Sequence, residues 1–145
     1  NSLVYGGSKT GLMGELALAA LEAGAEVTGV EPQFFVDSVL QLEGLTRLIV
    51  TPDIAERKAK MIELGDAFVA FPGGTGTLEE ISQIMSMIGL GQLDAPCVFY
   101  NLNGYYNPMA EQLDRMLACD LTSPERLQGI SFARNLDELV ACLQA

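Results

Sequence analysis

The sequence predicts a doubly wound α/β fold, a parallel sheet with helices on both faces, and three observations carry that expectation. Short apolar runs alternate with helical patterns of about a dozen residues, the rhythm of βαβ units. Glycine-rich turns sit directly between two of the runs and the helices that follow, as phosphate-accommodating strand-to-helix turns do. The chain has 145 residues and is 49% hydrophobic, enough for one good core, so residues 1–145 are expected to form a single nucleotide-binding domain.

Each element has its own justification. Ser2 to Gly6 reads as a strand, and Leu12, Leu16, Ala19 and Ala20 then give helical spacing up to Gly24, a helix stop. Val27 to Val30 is a second strand closed by Glu31 and Pro32, and Phe34 to Leu42 fits either a helix or a loop with one turn. Leu45 to Val50 is a third strand. Asp53, with Glu56 three residues on, predicts the cap of a helix running to Leu64 and Gly65. Ala67 to Phe71 is a fourth strand, followed by a helix with Leu78, Ile81, Met85 and Ile88 on one face and an end near Gly89 to Gly91. Pro96 to Leu102 is a fifth strand, and Asn103-Gly104 turns the chain toward a helix bearing Met109, Leu113, Met116 and Leu117. Ile130 to Ala133 and Leu136 to Leu143 give the last strand and helix.

Composition narrows the chemistry. The net charge of −11, from 19 acidic and 8 basic residues, opposes binding to a nucleic-acid backbone. No apolar run approaches the roughly 18 residues that span a bilayer, and no secretory signal pattern opens the chain; a cytoplasmic protein with no membrane partner is expected. Cys97, Cys119 and Cys142 are odd in number and widely spaced, which suits free thiols better than a disulfide framework or a zinc cluster. Histidine is absent. That removes Ser-His-Asp and Cys-His mechanisms within the chain and leaves carboxylates, Arg, Lys, Tyr and backbone dipoles.

The carboxyl ends of parallel strands are where such folds bind ligands. Three features are expected there, facing one another: the turn from Gly6 to Gly11, the helix start after Pro52 with Arg57 in or near its first turn, and the loop from Pro72 to Thr77. The last of these presents backbone N–H groups and the positive end of a helix, which suits phosphate. It has neither the terminal Lys-Ser/Thr of a Walker A loop nor the GxGxxG spacing of dinucleotide folds. A plainer reading stands beside it, in which Thr77 and Glu80 form a capping box. Likewise Arg57 and Lys60 can be solvated helix charges, Glu56 and Lys60 an i,i+4 pair, and Tyr105 and Tyr106 packing or interface residues.

Pro72, Gly73, Gly74, Gly76, Thr77 and Glu80 match the PGGxGTxxE motif, and in this the chain resembles the Lonely Guy family of cytokinin-activating enzymes. The segment Tyr5 to Gly14 is similar to the family's YGGGxxGLMG, with Ser8 in place of a third glycine. Ile54 to Ala59 is similar to MHERKA, with Ile54 and Ala55 replacing Met and His, and Asn101 to Tyr106 is similar to NxxGYY. The resemblance implies hydrolysis of a purine nucleoside 5′-monophosphate, AMP or an N6-modified AMP, to free base and ribose 5-phosphate. Neither a metal nor an organic cofactor is implied. Arg57 and Glu80 would be the catalytic pair, with Gly7, Lys58, Gly73, Gly74, Thr75, Gly76 and Thr77 binding the small-molecule substrate. A homodimer is also implied, with Met85, Met87 and Ile88 serving as core or dimer seam. The family carries about 30 residues, one strand and helix, ahead of the position matching Asn1, so a longer native polypeptide is expected.

Two rivals come from other classes, a carrier that stays as the alternative and a decarboxylase that the residues reject. A nucleotide or molybdenum-cofactor carrier on the same fold would need the glycine loop but not Arg57 and Glu80 together. A lysine decarboxylase would need a Schiff-base lysine with supporting groups, and only Lys9, Lys58 and Lys60 are present, with no histidine to stack on a pyridoxal ring.

Overall fold

In the computed structural model, which describes residues 1–144, the chain divides into two compact units, residues 1–65 and residue 66 onward. The architecture is α/β in both, with one three-stranded parallel sheet in each, consistent with a doubly wound Rossmann-like fold.

The first unit contains β1 (Leu3–Tyr5), α1 (Gly11–Glu22), β2 (Val27–Pro32), α2 (Gln33–Asp37), β3 (Arg47–Thr51) and α3 (Ile54–Leu64). The strands lie in sequence order, with Leu3 opposite Val27 on one side of β2 and Pro32 opposite Thr51 on the other. Strand β2 is therefore central, and its burial is nearly continuous, as parallel strands covered on both faces require. Tyr5, Ala17 and Val27 form a core cluster against Leu3, Ala20, Leu21, Leu42 and Leu45. Two sequence expectations change here. Strand β2 runs two residues past Val30, because Val50 and Thr51 pair with Glu31 and Pro32. Glu31 is thereby buried in a strand where a turn was expected. Helix α2 stops at Asp37 and cannot extend to Leu42, since Val39 takes a left-handed φ of 56°.

The second unit contains β4 (Phe68–Ala70), α4 (Thr75–Gly89), β5 (Cys97–Tyr100), α5 (Asn107–Ala118), β6 (Ile130–Ala133) and α6 (Leu136–Gln144). Its sheet order is β4-β5-β6, and the central strand again buries Cys97, Val98 and Phe99. Phe99 stacks on Phe132 at 4.8 Å and meets the edge of Tyr106 at 5.0 Å. Val98, Ala133 and Leu139 pack with Val69, Tyr100, Cys142 and Leu143. On α4 the inward positions are Ile81 and Ile84, while Leu78 is exposed; the apolar face lies partly one residue away from the expected one. The turn after β5 is a 3-10 turn over Leu102–Gly104, where Asn103 (φ 53°) and Gly104 (φ 76°) take the left-handed conformations that these residue types tolerate.

Among the described residues no helix is long and apolar enough to cross a membrane. The cysteines are free thiols, with Cys97 buried and Cys119 exposed, and burial pushes the Cys97 thiol up to about 12. Because the thiolate is the reactive form, a maleimide applied to native protein at pH 7.5 should label Cys119 quickly and leave Cys97 untouched until denaturant is added. Peptide mass mapping of the time course reads this directly, and early labelling of Cys97 would contradict the burial described.

Candidate functional site

The carboxyl edge of the first unit is built from three chain segments that leave room for one another only because two residues have no side chain. Strand β1 ends at Tyr5 and passes into Gly6 and Gly7, both buried. A Cβ on Gly6 would stand 2.1 Å from an Arg57 guanidinium nitrogen, and one on Gly7 would stand 2.3 Å from Glu31 Cγ. Gly7 also has φ +84°, a conformation that costs other residues about 1–2 kcal/mol. Beyond it, the Gly7 carbonyl accepts from Leu42 N and Lys9 N donates to Leu40 O, each at 2.9 Å. The Ser8 hydroxyl accepts from Thr10 N at 3.2 Å, so serine in place of a third glycine is used locally to shape the turn. Lys9 is exposed.

Arg57 enters the same edge from α3. Asp53 caps that helix as expected, its carboxylate accepting from Glu56 N at 2.9 Å, and this cap fixes where the first turn points. Arg57 is only 8% exposed and its Nε donates to the Val30 carbonyl at 3.0 Å. The solvated-charge alternative therefore does not describe this residue. Lys58 is half-buried on the same helix. Lys60 pairs with Glu63 at 2.6 Å, not with Glu56, and is an exposed surface ion pair of small energetic weight.

Sequence reasoning did not single out Glu31. It is fully buried beside the Gly7 turn, and neither of its carboxylate oxygens has a hydrogen-bond partner; the Tyr5 hydroxyl is in the same condition. Burial holds the Glu31 carboxyl above the usual glutamate range, against an opposing pull from the Arg57 charge. Burial, assisted by the Glu31 charge, pushes the Tyr5 phenol up to about 12. The only signal in the sequence was a charged residue directly after the strand run Val27 to Val30.

The second unit contributes the glycine loop. Strand β4 ends at Ala70, and α4 begins at Thr75 with Gly74 as its N-cap. This corrects the capping-box reading: Thr77 lies inside the first turn and no side chain caps the helix. Thr77 instead covers Gly73, where a Cβ would stand 2.3 Å from its hydroxyl oxygen. Gly74, Thr75 and Gly76 are exposed at the helix start, where the first N–H groups have no intrahelical acceptor. Glu80 sits half-buried one turn further along α4. Two tyrosine hydroxyls hold the loop from behind, Tyr106 donating to the Phe71 carbonyl and Tyr105 to the Gly73 carbonyl, each at 2.5 Å. Asn101 sets them in place by accepting from Tyr106 N at 2.6 Å and donating to Asn107 at 2.8 Å. Reading these tyrosines as packing residues missed that role, although their spacing from Asn101 contained it.

Each unit thus places its glycine turn at the carboxyl edge of a parallel sheet, and the chain is an α/β protein of Rossmann-like class. The family model described as "Possible lysine decarboxylase" matches residues 13–143. A cytokinin riboside 5′-monophosphate phosphoribohydrolase from Rhodococcoides fascians is 39% identical over 99% of this chain and 73% of its own length. The enzyme of the same name, LOG5, from Arabidopsis thaliana is 38% identical over 99% of the chain, and a probable one from Oryza sativa subsp. japonica is 36% identical. The chain spans 63% and 57% of those two plant relatives. The chain belongs to this family, the Lonely Guy family that its motifs resemble.

The tyrosine clamp yields a prediction. Tyr106→Phe removes a hydroxyl from a buried ring and leaves the Phe71 carbonyl unsatisfied, so stability should fall by about 1 kcal/mol. Tyr105→Phe, at an exposed ring, should cost less. Thermal melts of both variants beside the parent check the order; equal melting temperatures for Tyr106→Phe and the parent would remove the clamp from the account.

Glu31 gives a pH prediction. The folded chain binds its proton more tightly than the unfolded chain, whose carboxyl titrates near 4.5. The contribution of Glu31 to stability is therefore greatest below pH 4.5 and declines as pH rises through the folded-state value. Glu31→Gln, which cannot ionise, should gain stability relative to the parent between pH 4.5 and 8. Denaturant melts across that range should show the gap widening with pH, and a gap independent of pH would contradict the assignment.

Proposed function

We propose that this chain cleaves the N-glycosidic bond of a purine nucleoside 5′-monophosphate, AMP or an N6-modified AMP, releasing free base and ribose 5-phosphate. The observation that carries the reading is the uncapped, exposed start of α4 behind the Pro72–Thr77 loop, in a chain whose relatives carry phosphoribohydrolase names. Exposed N–H groups and the helix dipole at that start suit a 5′-phosphate. Gly73, Gly74, Thr75, Gly76 and Thr77 bind it, with Gly7 and Lys58 completing the substrate contacts.

The chemistry follows from the bond to be broken. As the C1′–N bond lengthens, positive charge develops on the ribose. The Glu80 carboxylate stabilises that charge or takes a proton from the attacking water. The water oxygen bonds to C1′, the bond electrons leave with the purine, and the purine gains a proton. Arg57 holds phosphate or ribose oxygens through charge-assisted hydrogen bonds. The working assembly is a homodimer in the cytoplasm.

A carrier of the same fold would bind the nucleotide without turnover. Decarboxylation is disfavoured because no histidine is present to stack on a pyridoxal ring, and of the three lysines Lys9 is exposed and Lys60 is in a surface ion pair. Chromatography of AMP incubated with full-length protein should show free adenine, while adenosine, lacking the phosphate, should be turned over far more slowly. Glu80→Gln should lower AMP turnover by about 10²–10⁴-fold while retaining nucleotide binding. Near-parental turnover by that variant would end the mechanism, and tight AMP binding without adenine release would favour the carrier.

A further inference from the structure

The glycine loop of the second unit contains one peptide plane whose direction its own residues do not fix. The Gly73–Gly74 bond has no side chain at either end. The φ of Gly74 is −92°, so a half-turn of that plane would carry it to about +90°, a value that glycine adopts readily and other residues rarely. Other carbonyls of the loop are held. The Phe71 carbonyl accepts from the Tyr106 hydroxyl at 2.5 Å, and the Gly74 carbonyl accepts from Leu78 N at 3.1 Å. Between them, the Gly73 carbonyl accepts from the Tyr105 hydroxyl at 2.5 Å. In a trans peptide the following N–H leaves on the side opposite the carbonyl. Tyr105 therefore sets the direction of the Gly74 N–H, at the exposed start of α4.

Packing, in turn, places the Tyr105 hydroxyl. Its ring meets Tyr106 edge-on at 5.0 Å, and Tyr106 is buried with its own N–H donating to the buried Asn101 side chain at 2.6 Å. Loss of the hydroxyl alone thus leaves the ring where its neighbours hold it.

We propose that Tyr105 is a positioning residue for the 5′-phosphate, its hydroxyl locking the Gly73–Gly74 peptide with the N–H presented to the anion. The proposal rests on the reading of the α4 start as the phosphate site. In the flipped orientation the partial negative charge of the Gly73 carbonyl would replace an N–H donor at the anion and repel it. Without the lock both orientations are populated, and apparent affinity falls in proportion to the binding-competent fraction. Tyr105 then governs affinity without touching the ligand.

The test uses full-length protein and ribose 5-phosphate, the proposed product. In ligand-free protein labelled with ¹⁵N-glycine, the Gly74 amide signal, identified by its absence from Gly74→Ala, should be single and sharp in the parent. In Tyr105→Phe it should broaden or double, and saturating ribose 5-phosphate should restore one signal. Tyr105→Phe should bind ribose 5-phosphate about threefold or more weakly, and its KM for AMP should rise while kcat holds. A methyl group at position 74 meets nothing within 4 Å in the protein and bars the flipped φ. In the Gly74→Ala background the loss caused by Tyr105→Phe should therefore shrink toward zero, which a general loosening of the fold would not do. An unchanged Gly74 signal in Tyr105→Phe, parental affinity of that variant, or an undiminished loss in the Gly74→Ala background overturns the proposal. Should the added methyl itself exclude the ligand, the glycine spectra and the affinity of Tyr105→Phe decide. If the parent binds ribose 5-phosphate and cleaves AMP while Tyr105→Phe matches it, only the lock fails. If the parent binds neither ribose 5-phosphate nor AMP, the phosphate site fails and the lock with it.

Discussion

The structure depends on a constraint of space at the turns where strands hand over to helices. In three places the volume that a Cβ would fill is taken by a side chain of the site: Arg57 at Gly6, Glu31 at Gly7 and Thr77 at Gly73. A Cβ at 2.1–2.3 Å would force each of these side chains out of the position it holds. The glycines therefore do more than permit a turn. They admit polar side chains to the strand ends, close to the backbone, where parallel sheets bind their ligands.

The proposed anion site lies on a strongly acidic chain, and the arrangement of charges bears on that reading. The net charge of −11 is spread over an exposed surface, where solvent screens it. The local field at the sheet edges is set by buried or fixed elements: Arg57 tied to the Val30 carbonyl, and the uncapped start of α4. Two other basic residues are paired at the surface, Lys60 with Glu63 and Arg134 with Glu138. A few positioned charges and dipoles in a poorly solvated place outweigh many solvated ones.

Rigidity comes from a separate set of contacts. The Asn101 side chain organises the turn after β5, and the tyrosines that follow send their hydroxyls to carbonyls of the Phe71–Gly73 stretch. Each such bond is modest in net energy. Together they fix the carbonyl side of the loop, so that its N–H side keeps a set direction without help from a cap. Preorganisation of this kind lowers the cost of ordering a loop around its ligand.

What the sequence determined by itself was the order and type of the elements and the residues at their junctions. Alternating apolar runs, Asp53 as a cap, Gly24 after a helix and Asn103-Gly104 as a turn are local signals, written within a few residues of where they act. The motif from Pro72 to Glu80 and its counterparts were legible for the same reason, and they led to the right family. Tertiary structure decided what depends on distant partners. The ladder with Val50 and Thr51 carried β2 on to Glu31 and Pro32, and so buried a carboxylate that local reading placed in a turn. The fit of α3 against β2 buried Arg57, a residue whose helical spacing equally suited a surface charge. Thr77 left the cap position because α4 starts at Thr75. Burial, unsatisfied polar atoms and shifted proton affinities are sums over neighbours from separate strands and helices, and a sequence supplies those neighbours only after the chain has folded.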